Sequence, residues 1–293
     1  MTYLNNTSII KNYTIPGTTE ELAVVAYQGG ATAIQVSLAT NGSGYIAVTP
    51  RVSNVGMGGF STGGGIGFLA GPYGFATDRL VAVDIVLPVT GELVTATASN
   101  QYADLFWALH GGNGQFGIVT TFYQKAAPEP KNVKLAVYFI SNNSLDAARE
   151  RLVDFYNNNN DAHSLIYFST GYLPETLEET NPDPSSFSVR TVVGLLWIDN
   201  PQDPQQADFN ATFANFLDGL SFDTTIGATL PYVDLYELID GEFPYGFRRY
   251  AGTPSTPHGE HRLTYPQRFL GPANPKHHRL IPAKCQHNLH KLY

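Results

Sequence analysis

The chain is poor in the residues that staple or mark many small proteins. It has one cysteine, Cys285, so it holds no internal disulfide and no metal site built on clustered thiolates. No uninterrupted apolar run reaches the roughly 18 residues of a membrane-spanning helix. Charged residues make up only 14% of the 293, and the net charge is -8, which argues against a nucleic-acid surface. Several catalytic signatures are missing as well. There is no Ser-His-Asp order, no Gly-x-Ser-x-Gly and no pair of carboxylates in a definable site. The glycine run Gly63-Gly64-Gly65 is not followed by Lys-Ser/Thr, so it is no nucleotide P-loop. The first residues, Met1–Asn6, carry neither a basic nor an apolar leader segment, and no signal peptide is expected within this chain. Sequons begin at Asn5, Asn6, Asn12, Asn41, Asn142 and Asn210, which is compatible with a secreted parent.

What is abundant is glycine, concentrated between Val52 and Val119. The block Val55-Gly56-Met57-Gly58-Gly59-Phe60-Ser61-Thr62-Gly63-Gly64-Gly65-Ile66-Gly67 opens this stretch, and Gly111-Gly112-Asn113-Gly114-Gln115-Phe116-Gly117 closes it. Glycine loses more backbone freedom on folding than any other residue, so such a density needs a reason. Close approach of a ligand or of another backbone segment is one. Charge and composition shift near Ala251. From Gly252 to Tyr293 there are six basic residues against one acid, Glu260, together with six prolines and six of the chain's eight histidines.

Periodicity predicts a strand at Leu22–Tyr27, a helix at Thr32–Thr40 and a strand at Tyr45–Thr49. A loop with a short helix follows at Val55–Gly67, and then a turn at Phe68–Gly74. Residues 1–22 show no clear period. A hairpin is expected from Leu80–Leu87 and Glu92–Thr97, with Val81, Val83, Ile85 and Leu87 on one face. Asn100 is placed to cap a helix over Gln101–His110, with Leu105, Ala108 and Leu109 on one stripe. Ile118–Lys125 reads as a strand and 126–131 as a linker. Beyond it come a strand at Val133–Ile140, a Ser144-capped helix through Phe155, and strands at Ser164–Phe168 and Phe187–Ile198. A helix over Pro204–Leu217 with Phe209, Phe213 and Phe216 inward and a last short helix at Tyr232–Ile239 complete the pattern. The class is α+β: antiparallel sheets with helices packed on one face.

Gly112–Gly117 matches the dinucleotide fingerprint G-x-G-x-x-G by letter. That motif needs a strand before it and a helix after it, and here the order is reversed, so a Rossmann site is not expected. His110 reads as a solvated histidine at a helix C-terminus. Asp78 reads as a turn cap, and Tyr73 and Trp107 as core aromatics. His277-His278 reads as part of a disordered tail rather than a metal site.

Taken together, the ordered blocks resemble a known family. Val55–Gly59, Gly63–Gly67, Tyr73-Gly74-Phe75-Ala76-Thr77-Asp78, Asp104–Leu109 and Gly112–Thr120 are similar to the second half of the PCMH-type FAD-binding domain. That domain belongs to oxidoreductases of the vanillyl-alcohol oxidase and berberine bridge enzyme type, fungal ones in particular. Pro244–Tyr250 is similar to part of the same family's substrate domain. The resemblance implies a partial FAD-binding domain over 1–128, a partial substrate domain over 129–251 and a non-family tail over 252–293. It implies hydride transfer from a small-molecule substrate to flavin N5 and reoxidation by dioxygen, with no nucleic-acid or membrane partner. By match to the family motif, the flavin contacts would be Gly56, Gly58, Gly59, Ser61, Thr62, Gly63, Gly67, Gly117, Ile118 and Val119. No metal is implied, and the catalytic candidates are Tyr250 and Tyr245. The family's Arg-Gly-Gly-Gly-His-type loop has no counterpart, and Val52 stands where some members carry a cysteine linked to flavin. A covalent flavin is therefore not expected, and the chain reads as truncated at both ends. The alternative is a flavin-free, inactive remnant acting at most as a binding domain.

Overall fold

The structure is a computed structural model that describes residues 3–174 and 187–237; these belong to one compact unit, Met1–Ile239. The first half builds a five-stranded antiparallel sheet from β1 (Thr7–Thr14), β2 (Glu21–Gln28), β4 (Leu80–Val86), β5 (Leu93–Ala96) and β6 (Ile118–Lys125). Their spatial order is β1-β2-β6-β4-β5. A two-stranded ribbon pairs β3 (Tyr45–Ile46) with β7 (Ala127–Pro128). Four helices belong to this half: α1 (Ala33–Thr40), α2 (Met57–Thr62), α3 (Ala70–Tyr73) and α4 (Ala103–Ala108).

The strand β2 is covered on both faces, so Val24, Val25, Ala26 and Tyr27 are all buried in a continuous run. It pairs with β6 in a register that sets Tyr27 opposite Phe122, and their rings stack at 5.4 Å. The helix expected over Thr32–Thr40 forms as α1, and Thr32 and Gln35 close a capping box at its start. The hairpin also forms, but β4 slips register against β6 between Leu80 and Ala82 and again between Asp84 and Ile85. These bulges bury Ala82 together with Val83 and Ile85, while Val81 is only half-buried, unlike the simple alternation expected.

The second half is a four-stranded antiparallel sheet ordered β11-β8-β10-β9, from β8 (Val133–Ile140), β9 (Ser164–Pro174), β10 (Phe187–Ile198) and β11 (Phe222–Leu230). Helices α5 (Leu145–Asn158) and α6 (Phe209–Leu217) cover one face. Period-two alternation along β10 sends Val193 and Leu195 toward these helices and Leu196 and Ile198 to the other face. Phe155 of α5 stacks on Phe213 of α6 at 5.5 Å. A separate apolar cluster joins Ile46, Val48, Leu69, Ala76 and Ala127 of the first half to Val133, Leu196, Ile198, Tyr232 and Leu235 of the second.

Three strands carry too little sequence signal to be expected: β1, β11 and the short β7, which falls inside the segment 126–131 read as a linker. In β1, a register shift between Ile10 and Tyr13 breaks the alternation that would announce it. In β11, threonines and Gly227 dilute the apolar signal. The helix expected from Pro204 begins only at Phe209, where Asp208 Oδ1 accepts the Ala211 amide at 2.9 Å. The turn expected at 68–74 contains the single-turn helix α3. Among the described residues no helix is long and apolar enough to cross a membrane, and no group of three or more potential ligands could hold a metal.

Candidate functional site: the glycine surface around α2

The glycine block folds because α2 is anchored from beneath. Its first amide, Met57 N–H, donates to Ala31 O at 2.8 Å, and the Met57 side chain is fully buried. Ser61, also fully buried, meets the Tyr27 hydroxyl at 2.8 Å. Gln124, with no exposed surface, donates from Nε2 to Tyr27 at 3.2 Å and accepts the Val48 amide on Oε1 at 2.5 Å. Thr62 donates to Gly58 O at 3.1 Å. Burial pushes the Tyr27 hydroxyl far above its ordinary pKa, against the opposing hydrogen bonds from Ser61 and Gln124. A neutral phenol, a neutral amide and a hydroxyl thus satisfy one another in the core without any charge.

The ten residues matched to the family motif fall into three groups. Gly58, Gly67 and Gly117 sit where backbone approaches backbone. A Cβ on Gly58 would lie 2.6 Å from Gly29 O, one on Gly67 would collide with Thr49 O, and one on Gly117 would lie 2.5 Å from Val86 O. Gly117 also needs its φ of +147°. Ser61, Thr62 and Val119 are buried. Ser61 and Thr62 spend hydroxyl contacts inside the protein, on Tyr27 and on the helix backbone. The third group faces outward. Gly56 and Gly59 have nothing within 4 Å of where a Cβ would stand, Gly63 is exposed beside the Asn113 side chain, and Ile118 is 54% exposed.

The loop after α4 completes this surface. Gly111 N–H donates to Thr62 O at 2.9 Å, tying the end of α4 to the end of α2. Asn113 has a φ of +56° and places its Oδ1 3.0 Å from the Cβ position of Gly63. Phe116 is exposed, as are Ile66 and Phe75 in the segment after α2. The result is bare peptide backbone flanked by uncovered apolar side chains. Such a surface suits a ligand that is partly planar and apolar and partly a hydrogen-bond acceptor.

Other expectations resolve as follows. Asp78 does cap a turn: its Oδ2 accepts the Phe75 amide at 2.9 Å. The segment 112–117 has a helix before it and β6 after it, so the dinucleotide geometry is absent. His110 is not simply solvated; it is half-buried, with Nδ1 2.7 Å from Phe106 O and its ring edge-on to Phe106. Trp107 is no core residue. It is 79% exposed, because Phe106 and Leu109 are the positions of α4 that point inward. Tyr245, Tyr250, Cys285, the 252–293 tail and its histidines lie outside the described residues. The Tyr27–Gln124 pair was missed in the sequence, although a glutamine at a buried phase of a β-strand is a readable signal.

No family model matches the chain. An FAD-linked oxidoreductase of Aspergillus terreus is 43% identical over 103 residues, 35% of this chain and 20% of the relative. The xylooligosaccharide oxidase of Thermothelomyces thermophilus is 46% identical over 79 residues, 27% of this chain and 16% of the relative. The chain therefore matches a quarter or less of each of these two proteins. In fold, a VAO-type flavoprotein of Myceliophthora thermophila superposes with a TM-score of 0.63 at 21% identity, over 84% of this chain and 42% of that one. In sequence over a segment, and in fold over most of its length, the chain resembles FAD-linked oxidoreductases of the vanillyl-alcohol oxidase and berberine bridge enzyme type.

Proposed function

We propose that the chain is part of an FAD-dependent oxidase, with 1–128 contributing one half of the flavin-binding domain and 129–251 part of a substrate domain. The observation that carries this reading is the outward backbone of Gly56 and Gly59, where any Cβ would fill open space, beside exposed Ile66, Phe116 and Ile118. Gly56, Gly59 and Gly63 present backbone to the cofactor, and Ile118 covers it. Gly58, Gly67 and Gly117 let the supporting segments close up, while Ser61, Thr62 and Val119 hold the platform from inside. When bound, FAD supplies the two-electron acceptor, taking hydride at N5 from a small organic substrate and passing the electrons to dioxygen. The protein's share is to bind, orient and shield. Val52 has no thiol, so no sulfur link to the flavin forms there.

Titrating the full chain into FAD and following flavin fluorescence tests this. Saturable quenching that Gly59→Leu abolishes, in a variant as thermally stable as the parent, is the expected result. A folded chain that leaves flavin emission unchanged overturns the reading.

A further inference from the structure

A cleft of about 370 Å³ lies between the 66–75 segment and the turn from α5 into β9. Its volume is within the range of small-molecule sites. Apolar and aromatic groups dominate its walls, among them Ile66, Phe68, Phe75 and Leu165. Among the described residues, Arg51 is the single cationic residue lining it and Asp161 the single anionic one.

These two charges differ in their commitments. Asp161 is engaged on both oxygens: Oδ1 accepts the His163 amide at 2.9 Å and Oδ2 accepts Gln206 Nε2 at 3.0 Å. The other polar groups there are also used. The Tyr156 hydroxyl donates to Ile166 O at 2.9 Å, Asn159 Nδ2 donates to Ser164 Oγ at 2.9 Å, and Ser164 Oγ donates to Asp161 O at 2.8 Å. Arg51 is different. Its Nε is buried with no hydrogen-bond partner among the described residues, and its guanidinium lies 5.4 Å from the centre of the Phe68 ring. A buried guanidinium N–H without an acceptor is costly, and the planar fork of arginine matches a carboxylate.

We propose that this cleft binds a small aryl or alkyl carboxylate, with the carboxylate on Arg51 and the apolar body against Phe68, Phe75 and Ile66. A phosphate is the poorer occupant, since it calls for several converging donors and only one side chain here has donors to spare. Ile66 and Phe75 border both this cleft and the glycine surface, but the inference does not rest on the flavin reading, because its anchoring group, Arg51, is no part of that surface.

Binding of naphthoate to the full chain, followed by its own fluorescence, tests the proposal, with naphthamide as the uncharged counterpart. Naphthoate should bind saturably and at least roughly tenfold more tightly than naphthamide, the size expected of a charge-assisted pair. Arg51→Gln should erase that preference while leaving naphthamide binding unchanged. Ala162→Trp, which narrows the cleft from an exposed position, should weaken both ligands and keeps the test valid if Arg51→Gln does not fold. Equal affinity for acid and amide overturns the proposal, as does an acid preference that survives Arg51→Gln or binding indifferent to Ala162→Trp. Loss of FAD binding with naphthoate binding intact would sink only the flavin reading.

Discussion

The hydroxyls of Tyr27 and Ser61 meet at 2.8 Å across 34 residues of sequence, and neither residue has measurable exposed surface. This contact fixes α2 to β2, an inner strand of the first sheet. Tyr27→Phe removes one partner from Ser61 and one from Gln124, so it should cost about 1–3 kcal/mol. Ser61→Ala should cost a similar amount, and the double variant less than the sum. Urea unfolding of the four proteins checks this; strict additivity would show that the two hydroxyls do not act as a pair.

Glycines on opposite sides of α2 should respond in opposite ways. Gly58→Ala forces a Cβ to within 2.6 Å of Gly29 O, and the backbone must shift, costing about 1–3 kcal/mol. Gly59→Ala meets nothing and gains helix propensity, so it should leave stability unchanged or raise it by about 0.5–1 kcal/mol. Thermal melts of the two variants give the comparison. Equal losses would mean that the outer face of α2 is covered.

His163 gives the fold a pH dependence. It is buried, its Nε2 has no hydrogen-bond partner among the described residues, and its ring sits edge-on to Tyr73 at 5.8 Å. Burial lowers its pKa below the ordinary 6.5, opposed by the charges of Asp161, Asp199 and Asp203. The unfolded chain then takes up a proton before the folded one does. Stability should therefore decline as pH falls below about 6.5, down to the point where the folded histidine also protonates. Unfolding curves measured between neutral pH and pH 5 should show that decline, and His163→Leu should flatten it. An identical slope in the variant would assign the decline to other groups.

Phe213 is fully buried between α5 and the second sheet, stacked on Phe155 and tilted against Phe209 at 4.9 Å. Phe213→Ala should cost about 3–5 kcal/mol by loss of contact and creation of a cavity. Trp107→Ala, by contrast, removes a residue that touches mostly water and should change stability by less than about 0.5 kcal/mol. Denaturant midpoints of the two variants check the contrast.

The sequence announces elements whose apolar residues form a dense run or recur at a regular spacing. β6 and β10 appear with their observed limits, and α6 shows Phe209, Phe213 and Phe216 at helical spacing. It conceals those whose pattern is set by pairing partners. β1 is an edge strand interrupted by a register slip, and Ala82 is buried only because β4 bulges against β6. At the candidate site the motif spacing singled out glycines whose surroundings differ, and the spacing does not reveal that difference. Whether a glycine faces open space, as Gly59 does, or another peptide, as Gly58 does, depends on what stands opposite, and that is a long-range fact. Arg51 carried no local signal either: nothing near it in sequence reveals that its guanidinium lacks a partner.

The apolar seam between the two halves carries a consequence of its own. Ile46, Val48, Leu69, Ala76 and Ala127 share one buried cluster with Val133, Leu196, Ile198, Tyr232 and Leu235. Dividing the chain at the linker after Pro128 would leave each piece with a raw greasy face, so the pieces would stick to one another or to themselves rather than stand alone. Evolution can therefore trade the outer loops of either half freely. The residues along the seam must change in concert, as the teeth of two meshed gears do.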